Sequence, residues 1–175
     1  EYLRRAGVGV TGAVKIGTVP KDAYNLVDHS SVSLSLILRG LNKFSNNFVA
    51  EQILKTLAAE LYGQPGTTEN GLQAMEKYLQ SLGYASDQYQ LLDASGLSRQ
   101  NRLSPDQIVS ILQDMYGDFG VYPEFVSALG AMGRDGNVQK RMNGHNGSDR
   151  ARVKTGTLNS VSTLSGYFQS ADGER

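Results

Sequence analysis

Cysteine is absent from the 175-residue chain, and histidine occurs only at His29 and His145. Without cysteine there can be no disulfide, zinc–thiolate site or cysteine nucleophile. Two histidines supply a histidine metal site or a Ser-His-Asp triad poorly. His29 stands just before an expected helix start and His145 lies in the polar run G-H-N-G-S-D, so both read as solvated or capping residues. Lysine is left as the proton carrier for any hydrolytic chemistry. An excess of either charge is also missing. Lysine plus arginine number 17 and aspartate plus glutamate 17, so no basic field attracts nucleic acid or anionic lipid. No apolar run approaches the roughly 20 residues of a membrane span, and the first residues lack the basic, apolar and small-residue regions of a signal peptide. A leader already cleaved would leave no trace.

Against these absences stands a hydrophobic content of 39%, enough for one domain with a core. Residues 7 to 19, G-V-G-V-T-G-A-V-K-I-G-T-V, place Val8, Val10, Val14 and Ile16 at period two and predict a strand or hairpin bending near Gly12. Ser30 and Ser31 offer N-caps to a helix with Leu34, Ile37, Leu38 and Leu41 on one face, loosening at Gly40 and Asn42. A second helix is expected after Ser45 to about Tyr62, with Phe48, Ile53, Leu54, Leu57 and Leu61 inward and Gly63, Pro65 and Gly66 as its stop. Thr67 or Thr68 caps a third, carrying Leu72, Met75, Leu79 and Leu82. Y-Q-L-L-D at 89–93 reads as a short strand. Ser104-Pro105 opens a helix with Ile108, Ile111, Leu112 and Met115, and a shorter apolar segment follows Pro123. After a polar loop at 143–149, residues 151–157 and 161–169 read as two strands. Strand, helices, then strands predict an α+β domain spanning residues 1–175, with helices packed on an antiparallel sheet.

Three stretches carry possible chemistry. F-S-N-N-F at 44–48 sits at a helix mouth, where a serine alone reads as an N-cap. D-A-S-G-L-S-R at 93–99 alone reads as a turn. In K-T-G-T at 154–157, Gly156 would allow close approach of a ligand backbone while Thr155 and Thr157 present hydroxyls. Arg99, Arg102, Arg134 and Arg141 read as solvated, and Asp93 and Asp135 as turn residues bonding their own backbone.

Together these stretches match the second and third members of the S-x-x-K, S-D-N and K-T-G set of penicillin-recognising serine enzymes, with S-N-N in place of S-D-N. The runs H-S-S-V-S-L-S-L-I-L-R-G-L-N-K-F-S-N-N-F, D-A-S-G-L-S-R, G-R-D-G-N-V-Q-K-R and A-R-V-K-T-G-T-L resemble the class C penicillin-binding proteins. These are D-alanyl-D-alanine carboxypeptidase/endopeptidases of bacterial cell-wall turnover. The resemblance covers nearly the whole chain and implies part of a β-lactamase/transpeptidase-like fold. It implies that Ser45 relays a proton towards the leaving amine and that Asn47 holds the acyl-side peptide. Lys154 would place positive charge beside Ser45, with Thr155 and Thr157 bonding the substrate carboxylate. The edge from Lys154 to Thr157 would pair with substrate as an added strand, Thr157 N–H donating to the oxyanion. The implied partners are peptidoglycan stem peptides and β-lactams. The implied place is the periplasm or the outer face of the bacterial membrane, with no metal or organic cofactor.

The S-x-x-K serine itself is missing. Three residues before Lys15, Lys21, Lys43, Lys55, Lys77, Lys140 and Lys154 stand Gly12, Thr18, Gly40, Gln52, Ala74, Asn137 and Ala151. The opening Y-L-R-R resembles a helix tail and the closing A-D-G-E-R a turn without its returning strand. The expectation is therefore the C-terminal part of a longer enzyme, inactive alone, its nucleophile supplied by an N-terminal part. The competing expectation is a non-catalytic relative whose groove binds cell-wall peptide or a partner protein. A β-lactamase keeps the same motifs, but the D-A-S-G-L-S-R and G-R-D-G segments resemble the carboxypeptidases.

Overall fold

The computed structural model describes residues 2–25, 27–142 and 150–170. It falls into two compact units, Glu1–Ser31 and Val32–Arg175. In the first, helix α1 (Tyr2–Arg5) is a single turn, followed by a chain without regular secondary structure. The strand expected over 7–19 does not form: Val14, Ile16 and Val19 are exposed, and only a bend at Gly12 agrees with the reading. Alternation supplies a strand's two faces but not its hydrogen-bonding neighbour, and an isolated glycine-rich hairpin is marginal at best.

The second unit is α+β, with five helices and a three-stranded antiparallel sheet among its described residues. Helix α2 (Leu34–Phe44) starts at Ser33, whose side chain makes no capping bond, rather than at the expected Ser30 or Ser31. It runs through Gly40 and Asn42 and half-buries Ile37, Leu38 and Leu41, while Leu34 stays exposed. Helix α3 (Asn47–Tyr62) begins where expected, but its cap is Asn46, whose Oδ1 accepts from Val49 N at 3.1 Å. Leu54 and Ala58 are its buried residues. Phe48 and Leu61, expected inward, are 72% and 58% exposed, and Leu57 is exposed too. Apolar residues surround most of this helix, so periodicity cannot choose a face. The choice is made by Gly71 on helix α4 (Thr68–Ser81), where a Cβ would lie 2.5 Å from Leu54 Cγ. Only that stripe lets the two helices approach so closely.

Thr67 caps α4 as expected, accepting from Asn70 N at 3.1 Å. Leu79 packs with Tyr89 and Leu91 in one core cluster. The strand expected at 89–93 is only a single bridge, Gln90 to Arg102, although Tyr89 and Leu91 point inward with strand-like alternation. Helix α5 (Pro105–Gly117) opens on a reciprocal capping box between Ser104 and Gln107. Gln107, fully buried, also donates from Nε2 to Gln88 O. Helix α6 (Tyr122–Ala128) leads into strand β1 (Gly130–Ala131), which the sequence reading did not contain.

Strands β2 (Ala151–Leu158) and β3 (Val161–Phe168) form the expected hairpin, joined by Asn159 and Ser160, the latter at φ 64°. The order is β1-β2-β3, with Gly130 opposite Val153 and Lys154 opposite Ser165. Ala151 and Val153 pack with Met132 and Val138 in a second core cluster. Because β1 stops at Val153, the β1-side edge of β2 from Lys154 to Thr157 has no strand partner among the described residues. His145, the polar loop 143–149 and the closing A-D-G-E-R lie outside the described residues.

Candidate active site

Ser45 and Asn46 are the two residues between α2 and α3. Ser45 closes α2 as its C-cap in the left-handed conformation, φ 56° and ψ 53°, and its N–H donates to Leu41 O. A non-glycine residue there costs roughly 1–2 kcal/mol, and α3 starts two residues later, at Asn47. Asn46 does the capping that a serine in this position would ordinarily do, so the Ser45 hydroxyl is left for another partner. That partner is Lys154, 109 residues on, whose Nζ donates to Ser45 Oγ at 2.9 Å and to Thr155 O at 2.7 Å. Partial burial draws the Lys154 ammonium below the ordinary lysine range, since desolvation disfavours the charged form.

The two lie in a cleft of about 850 Å³ between the α2–α3 junction and the β2–β3 hairpin. Asn47, the first residue of α3, lines it with an exposed side chain that makes no hydrogen bond among the described residues. Thr155, Gly156 and Thr157 form the strand wall, the first two half-buried and Thr157 exposed. All six residues singled out from the sequence thus border one cleft. Gly156 also has an internal reason to lack a side chain, because a Cβ would fall 2.4 Å from Thr163 Oγ1 on β3.

The third wall is the D-A-S-G-L-S-R segment, which is held as more than a turn. Asp93 accepts from Gly96 N, Ser98 N and Asn101 Nδ2 at 2.6, 2.7 and 2.9 Å. Burial pushes its carboxyl up, but these bonds outweigh that and hold it below the usual aspartate value. Glu51 on α3 accepts from both Ala94 N and Ser95 N at 2.9 Å. Arg99, expected to be merely solvated, donates to Asn159 O at 2.9 Å and so ties this wall to the tip of the hairpin. Arg102, Arg134, Arg141 and His29 are exposed, as read.

Two charged residues that matter here escaped the sequence reading. Lys43 is 8% exposed and forms an ion pair with Asp135. Asp135 does bond its own backbone, accepting from Ala131 N at 2.8 Å, but it faces Lys43 as well. Glu51 carried a faint signal, being one helical turn beyond Asn47 on the same face. Lys43 carried none, since a lysine near a helix C-terminus is ordinarily solvated.

The chain resembles known proteins over nearly its whole length. A model of the D-Ala-D-Ala carboxypeptidase 3 (S13) family matches residues 1–175. The chain is 38% identical, over 185 aligned residues, to a D-alanyl-D-alanine carboxypeptidase of Actinomadura, covering 99% of this chain and 34% of that protein. It is similar to the crystal structure of penicillin binding protein 4 from Haemophilus influenzae, at 28% identity and TM-score 0.86, over 98% of this chain and 38% of that one. The same Haemophilus protein in complex with a novel β-lactam matches with TM-score 0.84. The chain spans about a third of the length of these relatives. Matched over its whole length and carrying the S-x-N and K-T-G stretches on one cleft, the chain belongs to the D-Ala-D-Ala carboxypeptidase 3 (S13) family.

Proposed function

We propose that this chain builds the S-x-N and K-T-G walls of a serine D-Ala-D-Ala carboxypeptidase/endopeptidase that cuts peptidoglycan stem peptides and is acylated by β-lactams. The observation that carries the reading is the 2.9 Å bond from Lys154 Nζ to Ser45 Oγ beside a strand edge that has no strand partner among the described residues. Cleavage of a D-Ala-D-Ala amide needs a nucleophile, a proton for the leaving amine, a cation for the terminal carboxylate and donors for the oxyanion. Ser45, accepting from the ammonium, has its own proton free to pass to the departing amine. Lys154, Thr155 and Thr157 line the same cleft and are proposed to bind the terminal carboxylate, and the 154–157 edge can add the substrate backbone as a strand. The Asn47 amide, which makes no hydrogen bond among the described residues, is available to the acyl-side peptide.

The acylated serine belongs to an S-x-x-K elsewhere in the longer protein, because no lysine of this chain has a serine three residues before it. Its oxygen would bond the acyl carbon, the C–N bond would break with the proton moving to nitrogen, and water would then release the acyl group. A peptidoglycan substrate supports a location in the periplasm or on the outer face of the cell membrane. The test is intact mass after exposure to benzylpenicillin. The longer protein is expected to gain one adduct, mapped to an upstream serine, and this chain none. An adduct on this chain, or none on either, overturns the reading; the latter outcome would favour a peptide-binding relative.

A further inference from the structure

We propose that Lys43 and Asp135 are positioning residues that hold Ser45 against Lys154. The contacts close a ring. Lys43 sits two residues before Ser45 on the last turn of α2 and donates to Asp135 Oδ2. Asp135 Oδ1 accepts from Ala131 N at 2.8 Å. Ala131 and Gly130 form β1, paired with Arg152 and Val153 of β2. The next residue is Lys154, whose Nζ returns to Ser45 Oγ. A bond at each end of the carboxylate thus links the helix that presents Ser45 to the strand that presents Lys154, without touching the cleft.

The turn after β1 is built to reach Lys43. Gly136 has φ 60°, and a Cβ there would meet Lys43 O at 2.6 Å. Its glycine permits both the left-handed backbone and the close approach. Favourable interaction with the α2 dipole needs no such arrangement, since an exposed lysine would serve equally. Burying the ammonium carries a desolvation cost that the ion pair at best repays, so such pairs are poor sources of stability and better suited to fixing geometry. Burial also pushes the Asp135 carboxyl up, and the Lys43 bond, the Ala131 N–H bond and the nearby Lys43 and Arg39 charges together overcome this and keep the group below its ordinary value.

This inference rests on the proposed catalytic reading, and its test separates the two. In the full-length protein, the double variant Lys43→Met/Asp135→Asn removes both charges while keeping the side-chain oxygen that accepts from Ala131 N, and should fold with a thermal midpoint within a few degrees of the parent. In its crystal structure the Ser45 Oγ to Lys154 Nζ distance is expected to open beyond hydrogen-bond reach, about 3.5 Å. Penicillin acylation should slow by roughly 10- to 100-fold, the loss falling on the acylation step rather than on non-covalent binding. A retained short contact, or acylation at the parental rate, overturns the proposal. Should the double variant fail to fold, Asp135→Glu keeps the ion pair on a longer arm. It is expected to acylate several-fold more slowly, and a parental rate there overturns the proposal equally. A parent that takes no penicillin defeats the carboxypeptidase reading, and the crystallographic distance then decides the positioning role by itself.

Discussion

Ser45 has its role because Asn46 has taken the other one. Had Ser45 capped α3, its oxygen would face a backbone N–H and Lys154 would lie beside an engaged hydroxyl. Division of labour between adjacent residues depends on the left-handed turn at φ 56°, a backbone detail that composition does not reveal. The pH dependence of the site follows from the neighbouring lysine. In the proposed mechanism Lys154 acts as an ammonium, and burial lowers its pKa. The proposed carboxypeptidase activity of the longer protein is therefore expected to fall, as pH rises, at a lower pH than the ordinary lysine value of 10.5. A pH profile of the acylation rate with an alkaline limb at or above that value would contradict this. The same shift opposes stability. The folded state binds the proton less tightly than the unfolded state, so this residue's contribution to stability rises with pH between the folded and unfolded values.

Helix ends were the most legible elements. Ser104-Pro105-x-Gln107 states a capping box in four letters, and the structure forms both of its bonds. Ser104→Ala should cost about 1 kcal/mol, read as a lowered urea midpoint with unchanged slope. An unaltered midpoint would mean that burial of Gln107, not the cap, holds this end. Thr67 was equally legible, because its oxygen needs only the N–H three residues on. Faces were harder. Phe48 and Leu61 carry the same apolar signal as Leu54, and only the contact with Gly71 across the α3–α4 interface separates them. Strands without a near neighbour in sequence were hardest. The hairpin expected at 151–157 and 161–169 forms at 151–158 and 161–168, legible because both partners and their turn are contiguous, whereas β1, two residues long, exists only through its pairing with β2.

Across the second unit, the face of the sheet next to α5 is an apolar groove of about 880 Å³, lined in part by Leu112, Met132, Val153, Leu164 and Phe168. Exposed apolar surface of this extent binds hydrophobic dyes. Anilinonaphthalene sulfonate is expected to brighten on addition of the folded chain, and Leu164→Lys, at a position 52% exposed, should dim it several-fold without unfolding the protein. An equal signal from the variant would place the dye elsewhere. At this scale the roles of sequence and tertiary structure separate. The sequence by itself determined the α+β class, most helix starts, the family resemblance and the six residues of the cleft, because caps, periods and short motifs act within a few residues. Tertiary structure alone decided that Ser45 and Lys154 meet across 109 residues, that Arg99 bridges to Asn159, and that Lys43 is buried against Asp135. Those contacts join segments whose approach depends on sheet pairing and core packing, and no local pattern encodes a distance between distant segments.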